Sequence, residues 1–320
     1  MSTTPIKLVG FLAAIAAVFG LALVAGRAIG PVDDEVTSHD DAHAANFTAA
    51  GHEDVHDKSS TEQPAQPQIP GGLVVSQNGY TLALTDARAR PGQTRPVSFT
   101  ITGPDGSPVT AYDVEHEKQL HLIAVRRDFT GFQHVHPTLE KSTGLWSVDL
   151  DLAPGTWRVF TDFKATGADA LTLGTDLAVD GDYQPAAPAT ENRTATVDDY
   201  EVTLGGDLTA GADAKLTLTV SKDGKPVTDL QPYLGAYGHL VALRGGDLAY
   251  LHVHPDGTPG DGATDRGPAV VFYAAVPSAG TYHLYLDFQH NGVVRTVAFT
   301  VTAGASKDAE STASDEHSGH

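Results

Sequence analysis

Histidines recur in one seventeen-residue stretch that the chain contains twice. The first copy, HLIAVRRDFTGFQHVHP, spans residues 121–137, and the second, HLVALRGGDLAYLHVHP, spans residues 239–255. Eight of the seventeen positions are identical at a constant offset of 118 residues. In each copy a lone histidine precedes a His-Val-His by thirteen residues, and the six histidines concerned are His121, His134, His136, His239, His252 and His254.

Each copy has the pattern of a β-hairpin. Apolar, β-branched runs flank a turn signal at residues 126–128 in the first copy and a Gly-Gly-Asp at 245–247 in the second. A turn centred on the two glycines would place His239 opposite His252, and a turn shifted by one residue would place it opposite His254. Because side chains alternate with period two, all three imidazoles share one face in either register.

Three imidazoles on one face can converge on a single metal ion. Opposed Cβ atoms on paired strands are about 4.5–5.5 Å apart, and zinc–nitrogen bonds are about 2.0–2.1 Å long. Three histidines with an open fourth position suit Zn(II) and also Cu(II). The chain has no Cys and one Met, which excludes a blue-copper centre. We therefore predict one Cu(II) or Zn(II) per module, copper preferred; the alternative is hydrogen-bonded, inert strand histidines.

Two aspartates occupy matching repeat positions at the ends of strands rich in aromatic residues. They are Asp162 and Asp287, which align at an offset of 125 residues. A carboxylate near a metal-bound histidine can bind the ion or orient the imidazole, so both are predicted to belong to the metal sites. The alternative is an aspartate that caps a turn. His116, His283 and His290 lack a histidine counterpart in the other copy and are predicted to be surface or accessory residues.

The composition favours cations as ligands. Asp and Glu number 40 against 20 Lys and Arg, giving a formal net charge of −20. This charge argues against nucleic acid, because binding to phosphate needs concentrated basic charge. Without Cys there is no disulfide framework and no thiolate metal site.

The N-terminus predicts export. Residues 8–26 carry no charge and lie between Lys7 and Arg27, which is long enough for a transmembrane helix. The acidic run after this segment favours an N-inside orientation. We expect a single-pass anchor in the cell membrane with the bulk of the chain extracytoplasmic; the alternative is a cleaved signal peptide and a secreted protein.

The rest of the chain divides into two similar modules. Short β-type runs separated by Gly- and Pro-rich turns predict an all-β protein with two tandem immunoglobulin-like β-sandwich domains behind the N-terminal transmembrane helix. The predicted boundaries are a membrane segment at 1–30, a disordered acidic linker at 31–70, module 1 at 71–180, a linker at 181–195, module 2 at 196–303 and a disordered tail at 304–320.

The order of motifs, His-Leu-[Ile/Val], His-Val-His-Pro and then Pro-x-Gly-Thr behind an N-terminal apolar segment, resembles exported actinobacterial proteins described as heavy-metal-binding. The second copy departs from this pattern, because its last element is one residue longer, at residues 277–281. The resemblance covers residues 121–163 and 239–288. It implies immunoglobulin-like domains that bind metal outside the membrane, and no catalytic activity.

The leading hypothesis is therefore a membrane-tethered protein that buffers, delivers or senses a divalent metal ion, with a metal transporter or another copper-handling protein as partner. Neutral imidazoles are the ligands, so binding should weaken as the pH falls below about 6.5. One alternative is an adhesion or scaffold protein that needs no metal. The other is a metalloenzyme whose open coordination position activates water or changes redox state.

Overall fold

The structure is a computed structural model that describes residues 69–305. Over this range the chain is all-β, and no helix is long and apolar enough to cross a bilayer. The predicted membrane segment, nearly all of the acidic linker and nearly all of the tail lie outside the described residues.

Module 1 consists of two five-stranded sheets that enclose one apolar core. The outer sheet has the order β1-β2-β4-β8-β7 and the inner sheet the order β3-β10-β9-β5-β6. The strands are β1 Ser76–Gln77, β2 Tyr80–Leu84, β3 Arg88–Ala89, β4 Gly92–Thr102, β5 Leu120–Arg126, β6 Gln133–Val135, β7 Thr138–Glu140, β8 Leu145–Leu152, β9 Gly155–Lys164 and β10 Ala170–Val179.

Module 2 repeats this arrangement. Its outer sheet has the order β11-β12-β13-β18-β17, with β14 paired to β13, and its inner sheet the order β16-β15-β19-β20. The strands are β11 Thr194–Val197, β12 Tyr200–Gly205, β13 Ala212–Lys222, β14 Lys225–Pro226, β15 His239–Arg244, β16 Tyr250–Leu251, β17 Val253–Pro255, β18 Ala269–Val276, β19 Gly280–His290 and β20 Val293–Ala303.

The inner sheets are buried on both faces, which explains their nearly continuous apolar sequences. In β5, Leu120, Leu122 and Ala124 point into the core of module 1, whereas Ile123 and Val125 belong to a separate apolar cluster. That cluster also contains side chains of β15 and β19 from module 2. Strand alternation therefore assigns one set of side chains to the module core and the other to the contact between modules.

Two aromatic pairs connect the modules, and the repeat relates one pair to the other with module 1 and module 2 interchanged. Phe132 of module 1 stacks on Tyr285 of module 2 with ring centroids 4.0 Å apart, and Tyr250 of module 2 meets Phe160 of module 1 at 5.8 Å. Phe132 aligns with Tyr250 in the repeat, and Phe160 aligns with Tyr285. The Tyr285 hydroxyl also donates to the Phe129 carbonyl oxygen at 2.8 Å. The inner sheets thus pack face to face through equivalent aromatic residues.

Candidate metal centre between the modules

Three histidines of module 1 meet at one end of the contact between the modules. Strand β5 pairs with β6 so that Ile123 lies opposite His134, a register that places His121 opposite His136. The ring centroids of the three histidines form a nearly equilateral triangle with sides of 5.0, 5.0 and 5.3 Å. One nitrogen from each ring lies within 4.8 Å of the other two. Strand alternation, the argument made from the sequence, thus brings this trio together.

Each of the first two imidazoles is held by a partner on its outer nitrogen. His121 Nε2 donates to the Glu115 carbonyl oxygen at 3.1 Å, which leaves its Nδ1 with a lone pair. His134 Nδ1 lies 2.8 Å from Asp287 Oδ2 of module 2. The two inner nitrogens, His121 Nδ1 and His134 Nε2, are 3.1 Å apart. Both outer partners therefore direct inner nitrogens toward the same point.

Two buried ring nitrogens close to this point make no hydrogen bond. Among the described residues, only three buried side-chain polar atoms lack a partner, and two of them are His136 Nε2 and His239 Nδ1. Buried polar groups are normally satisfied, because leaving one without a partner costs about 1–3 kcal/mol. Two such atoms therefore lie in one place, beside the three histidines of module 1.

Burial keeps these histidines neutral. It lowers the pKa of His121 to about 4, that of His134 to about 3 and that of His136 to about 3. The pKa of His239 is also lowered well below its ordinary value, chiefly by burial. A neutral imidazole has the free lone pair that metal binding requires. The contact between His134 and Asp287 is accordingly a hydrogen bond of a neutral imidazole rather than an ion pair.

The second module does not assemble an equivalent trio. His252 and His254 stay together, with ring centroids 4.0 Å apart, but both are exposed. His239 instead lies against module 1, with ring centroids 4.5 Å from His134 and 5.7 Å from His121. The expectation that His239, His252 and His254 form a site of their own is therefore corrected.

The path of the chain after the turn of module 2 explains why these three histidines do not meet. The turn is a five-residue loop, residues 245–249, and its register would place His239 opposite His254, the second of the two predicted registers. However, the chain leaves the inner sheet after Leu251, and β17 pairs with β18 of the outer sheet. The first described residues of the chain lie beside this departure, where Tyr250 N donates to the Gly71 carbonyl oxygen at 2.9 Å.

The two predicted aspartates have different surroundings. Asp287 lies on β19 directly beside His239, and together with His134 these residues place three ligand atoms within 4.8 Å of one another. Asp162 pairs in the same way with His121 but joins neither group of three. A threonine of the neighbouring strand donates to Oδ1 in both cases, Thr172 to Asp162 at 3.0 Å and Thr296 to Asp287. Burial raises the pKa of each carboxyl to about 6.

His116 is a neighbour of the cluster that the repeat could not reveal, because it has no counterpart in the second copy. It is exposed, and its ring centroid lies 6.1 Å from those of both His121 and His239. His283 and His290 are buried rather than at the surface. His283 stacks on Phe129 with ring centroids 3.7 Å apart, and His290 shares a hydrogen bond of 2.6 Å with Tyr200.

Fold and site together define an all-β protein of two repeated modules, with a histidine cluster where their inner sheets meet. The chain belongs to the family described as "Domain of unknown function (DUF8832)", whose model matches residues 75–180 and 195–305. No curated protein matches it.

Solved structures that match this chain include two bacterial adhesins. An Escherichia coli adhesin, FdeC, is 15% identical with a TM-score of 0.23, and the match covers 72% of this chain and 65% of that chain. The Yersinia pseudotuberculosis adhesin InvE is 13% identical with a TM-score of 0.21, covering 70% and 59%. Both matches thus span less than two thirds of the other protein. TM-scores this low carry no functional argument.

Proposed function

We propose that this protein binds one Cu(II) or Zn(II) ion through His121 Nδ1, His134 Nε2 and His136 Nε2, and that it buffers, delivers or senses extracytoplasmic metal. The observation that carries the proposal is the pair of inner nitrogens 3.1 Å apart. Two nitrogens about 2.05 Å from a tetrahedral ion would be about 3.3 Å apart. The folded chain therefore already holds two imidazoles at a separation suited to a shared ion.

Proton positions add to this support. The Glu115 carbonyl oxygen can only accept, so the proton of neutral His121 is on Nε2. With Asp287 ionised, the proton of His134 is on Nδ1. Two lone pairs then face each other, and a cation between them relieves their repulsion. Without an ion, one more proton is needed to form a hydrogen bond between His121 and His134. Asp287 is the group that takes up this proton, because burial raises its pKa to about 6.

The choice of ion follows from the ligand set. Imidazole nitrogen suits copper and zinc, and Cu(II) binds more tightly than Zn(II) to a given site of this kind. Three protein ligands leave a coordination position open, as in a site that exchanges its ion or binds a small molecule. Copper is accordingly the preferred ion. The orientation of His134 by a carboxylate is the arrangement that commonly supports metal-bound histidine.

The strand orders β2-β4-β8-β7 and β10-β9-β5 match the two sheets of an immunoglobulin domain, and we infer that both modules are immunoglobulin-like. The resemblance to exported heavy-metal-binding proteins and the uncharged segment at residues 8–26 support a membrane-tethered, extracytoplasmic location. A metal transporter or copper-handling protein would be the exchange partner.

A second candidate function is adhesion or scaffolding without metal. The observation that favours it is that the modules meet through apolar and aromatic side chains that need no ion, such as Phe132 on Tyr285. In this case the buried histidines would be neutral, hydrogen-bonded and inert, and would serve only packing.

Calorimetric titration with Cu(II) and Zn(II) separates the two candidates. The sample is the full-length chain in detergent, with the six histidines outside the described residues changed to Ala in every variant: His39, His43, His52, His56, His317 and His320. We expect tight binding that His121→Ala and His136→Ala each abolish. The matched control, His252→Ala with His254→Ala, should bind as the parent does. Absence of tight binding in the parent, or its loss only in the control, would contradict the proposal.

A further inference from the structure

His134 belongs to two groups of candidate ligands at once. One group contains His121 and His136, and the other contains His239 and Asp287 of module 2. The two ring nitrogens of His134 face in different directions, Nε2 toward His121 and Nδ1 toward Asp287. A single imidazole can therefore serve one ion position on each side of its ring.

Each group also contains one of the two buried nitrogens without a hydrogen bond. His136, whose Nε2 is one of these nitrogens, belongs to the first group, and His239, whose Nδ1 is the other, belongs to the second. One ion bound by the first group would satisfy His136 but would leave His239 Nδ1 without a partner. The second free nitrogen thus points to a second ligand.

The second group contains a buried carboxylate that no Lys or Arg of the described residues neutralises. Asp287 is 2% exposed and accepts a hydrogen bond from Thr296, but within residues 69–305 neither it nor Asp162 forms an ion pair with Lys or Arg. Burying a carboxylate without a cation is costly, so such groups are normally paired or bind metal. The contact between the modules therefore contains buried negative charge that a bound cation would offset.

We propose a second ion position, held between the modules by His134 Nδ1, His239 Nδ1 and Asp287 Oδ2, so that His134 bridges two ions. This proposal rests on the proposed function, since His134 Nε2 binds the first ion. The ligands are two nitrogens and one carboxylate oxygen, a set that suits Zn(II) or Cu(II).

The proton balance of the step is simple. When the second ion binds, the Nδ1–H bond of His134 breaks, its electron pair forms the bond to the ion, and the proton passes to solvent. His134 becomes a bridging imidazolate with one negative charge. Together with the Asp287 carboxylate, it offsets part of the repulsion between two divalent ions held on either side of one ring.

The test uses Cu(II) as the probe, added to the full-length chain in the background without the six other terminal histidines. Native mass spectrometry counts the bound ions, and electron paramagnetic resonance measures the unpaired spins. We expect two bound ions, a normal signal after the first equivalent, and loss of signal after the second, because the imidazolate couples the two spins. His239→Ala should bind one ion with a normal signal. His136→Ala should bind no ion tightly, because the second position depends on the first, and His134→Ala should bind no bridged pair.

The outcomes distinguish this inference from the proposed function. One bound ion, unaffected by His239→Ala, would overturn the second position and leave the first intact. Two ions with full signal intensity would overturn the bridging role of His134. No bound ion would overturn both proposals. The titration of the unsubstituted cluster gives these answers even where a variant fails to fold.

Discussion

The His134 imidazole of module 1 lies 2.8 Å from Asp287 Oδ2 of module 2, with both side chains almost fully buried. The two residues are 153 positions apart in the chain. The hydrogen bond fixes which nitrogen of His134 faces the other histidines. The geometry of the candidate site in module 1 therefore depends on a residue of module 2.

Replacing Asp287 with Asn should weaken binding of the first ion without abolishing it. The substitution keeps the size of the side chain but removes the charge that orients His134 and raises its basicity. Loss of such a supporting partner typically costs about 10–100-fold in metal affinity. Calorimetric titration with Zn(II) measures this effect, and Asp162→Asn is the matched control because Asp162 belongs to neither group of three. Equal losses in both variants would contradict the assigned role of Asp287.

Metal should stabilise the folded chain against heat. A ligand that binds only the folded state at about 100 times its Kd adds about 2.7 kcal/mol, which corresponds to a rise in Tm of about 5–10 °C for a unit of this size. Scanning calorimetry with Zn(II), before and after addition of a chelator, measures the shift. His121→Ala should remove the shift, while His254→Ala should keep it. A shift that survives in His121→Ala would place the ion elsewhere.

The stability of the metal-free protein should decrease between about pH 6.5 and pH 4. The three histidines of module 1 have folded-state pKa values of about 4, 3 and 3, so below about 6.5 they bind protons only in the unfolded chain. The carboxyls of Asp162 and Asp287 act in the opposite direction below their pKa values of about 6, but the histidines outnumber them.

Thermal unfolding over this pH range measures the decrease, and the His136→Gln variant should show a shallower dependence. A parent and variant with the same slope would be evidence against buried neutral histidines.

The same burial moves metal release to a lower pH than the ordinary histidine pKa suggests, so we expect Zn(II) to remain bound at about pH 5.5.

The aromatic contact between the modules should carry much of their docking energy. Tyr285 is buried, stacks on Phe132 and donates to the Phe129 carbonyl oxygen. Removing a buried aromatic side chain typically costs about 3–5 kcal/mol. Chemical denaturation of Tyr285→Ala measures this cost, with the exposed Tyr273→Ala as control. Two variants of equal stability would show that the stacked pair contributes little.

Local sequence rules were enough to group the histidines of module 1. Period-two alternation and a hairpin turn place His121, His134 and His136 on one face whatever the details of the loop. The all-β class followed in the same way from short apolar runs between turns, and the structure confirms it over the described residues.

The partner residues from module 2 could not be inferred by those rules. The same alternation puts His239 on the exposed face of a single module, and only the packing of the two inner sheets brings it to His134. The positions of His252 and His254 depend on where the chain passes from the inner to the outer sheet. Neighbouring segments, rather than the motif itself, determine that point. An identical motif therefore has two different environments.

A crystal structure of the chain grown with Zn(II), with anomalous diffraction measured on both sides of the zinc absorption edge, tests the central claim most directly. We predict an anomalous peak about 2.0–2.1 Å from His121 Nδ1, His134 Nε2 and His136 Nε2. Zinc found only at His252 and His254, or a cluster that remains free of zinc when the ion is in excess, would contradict the account.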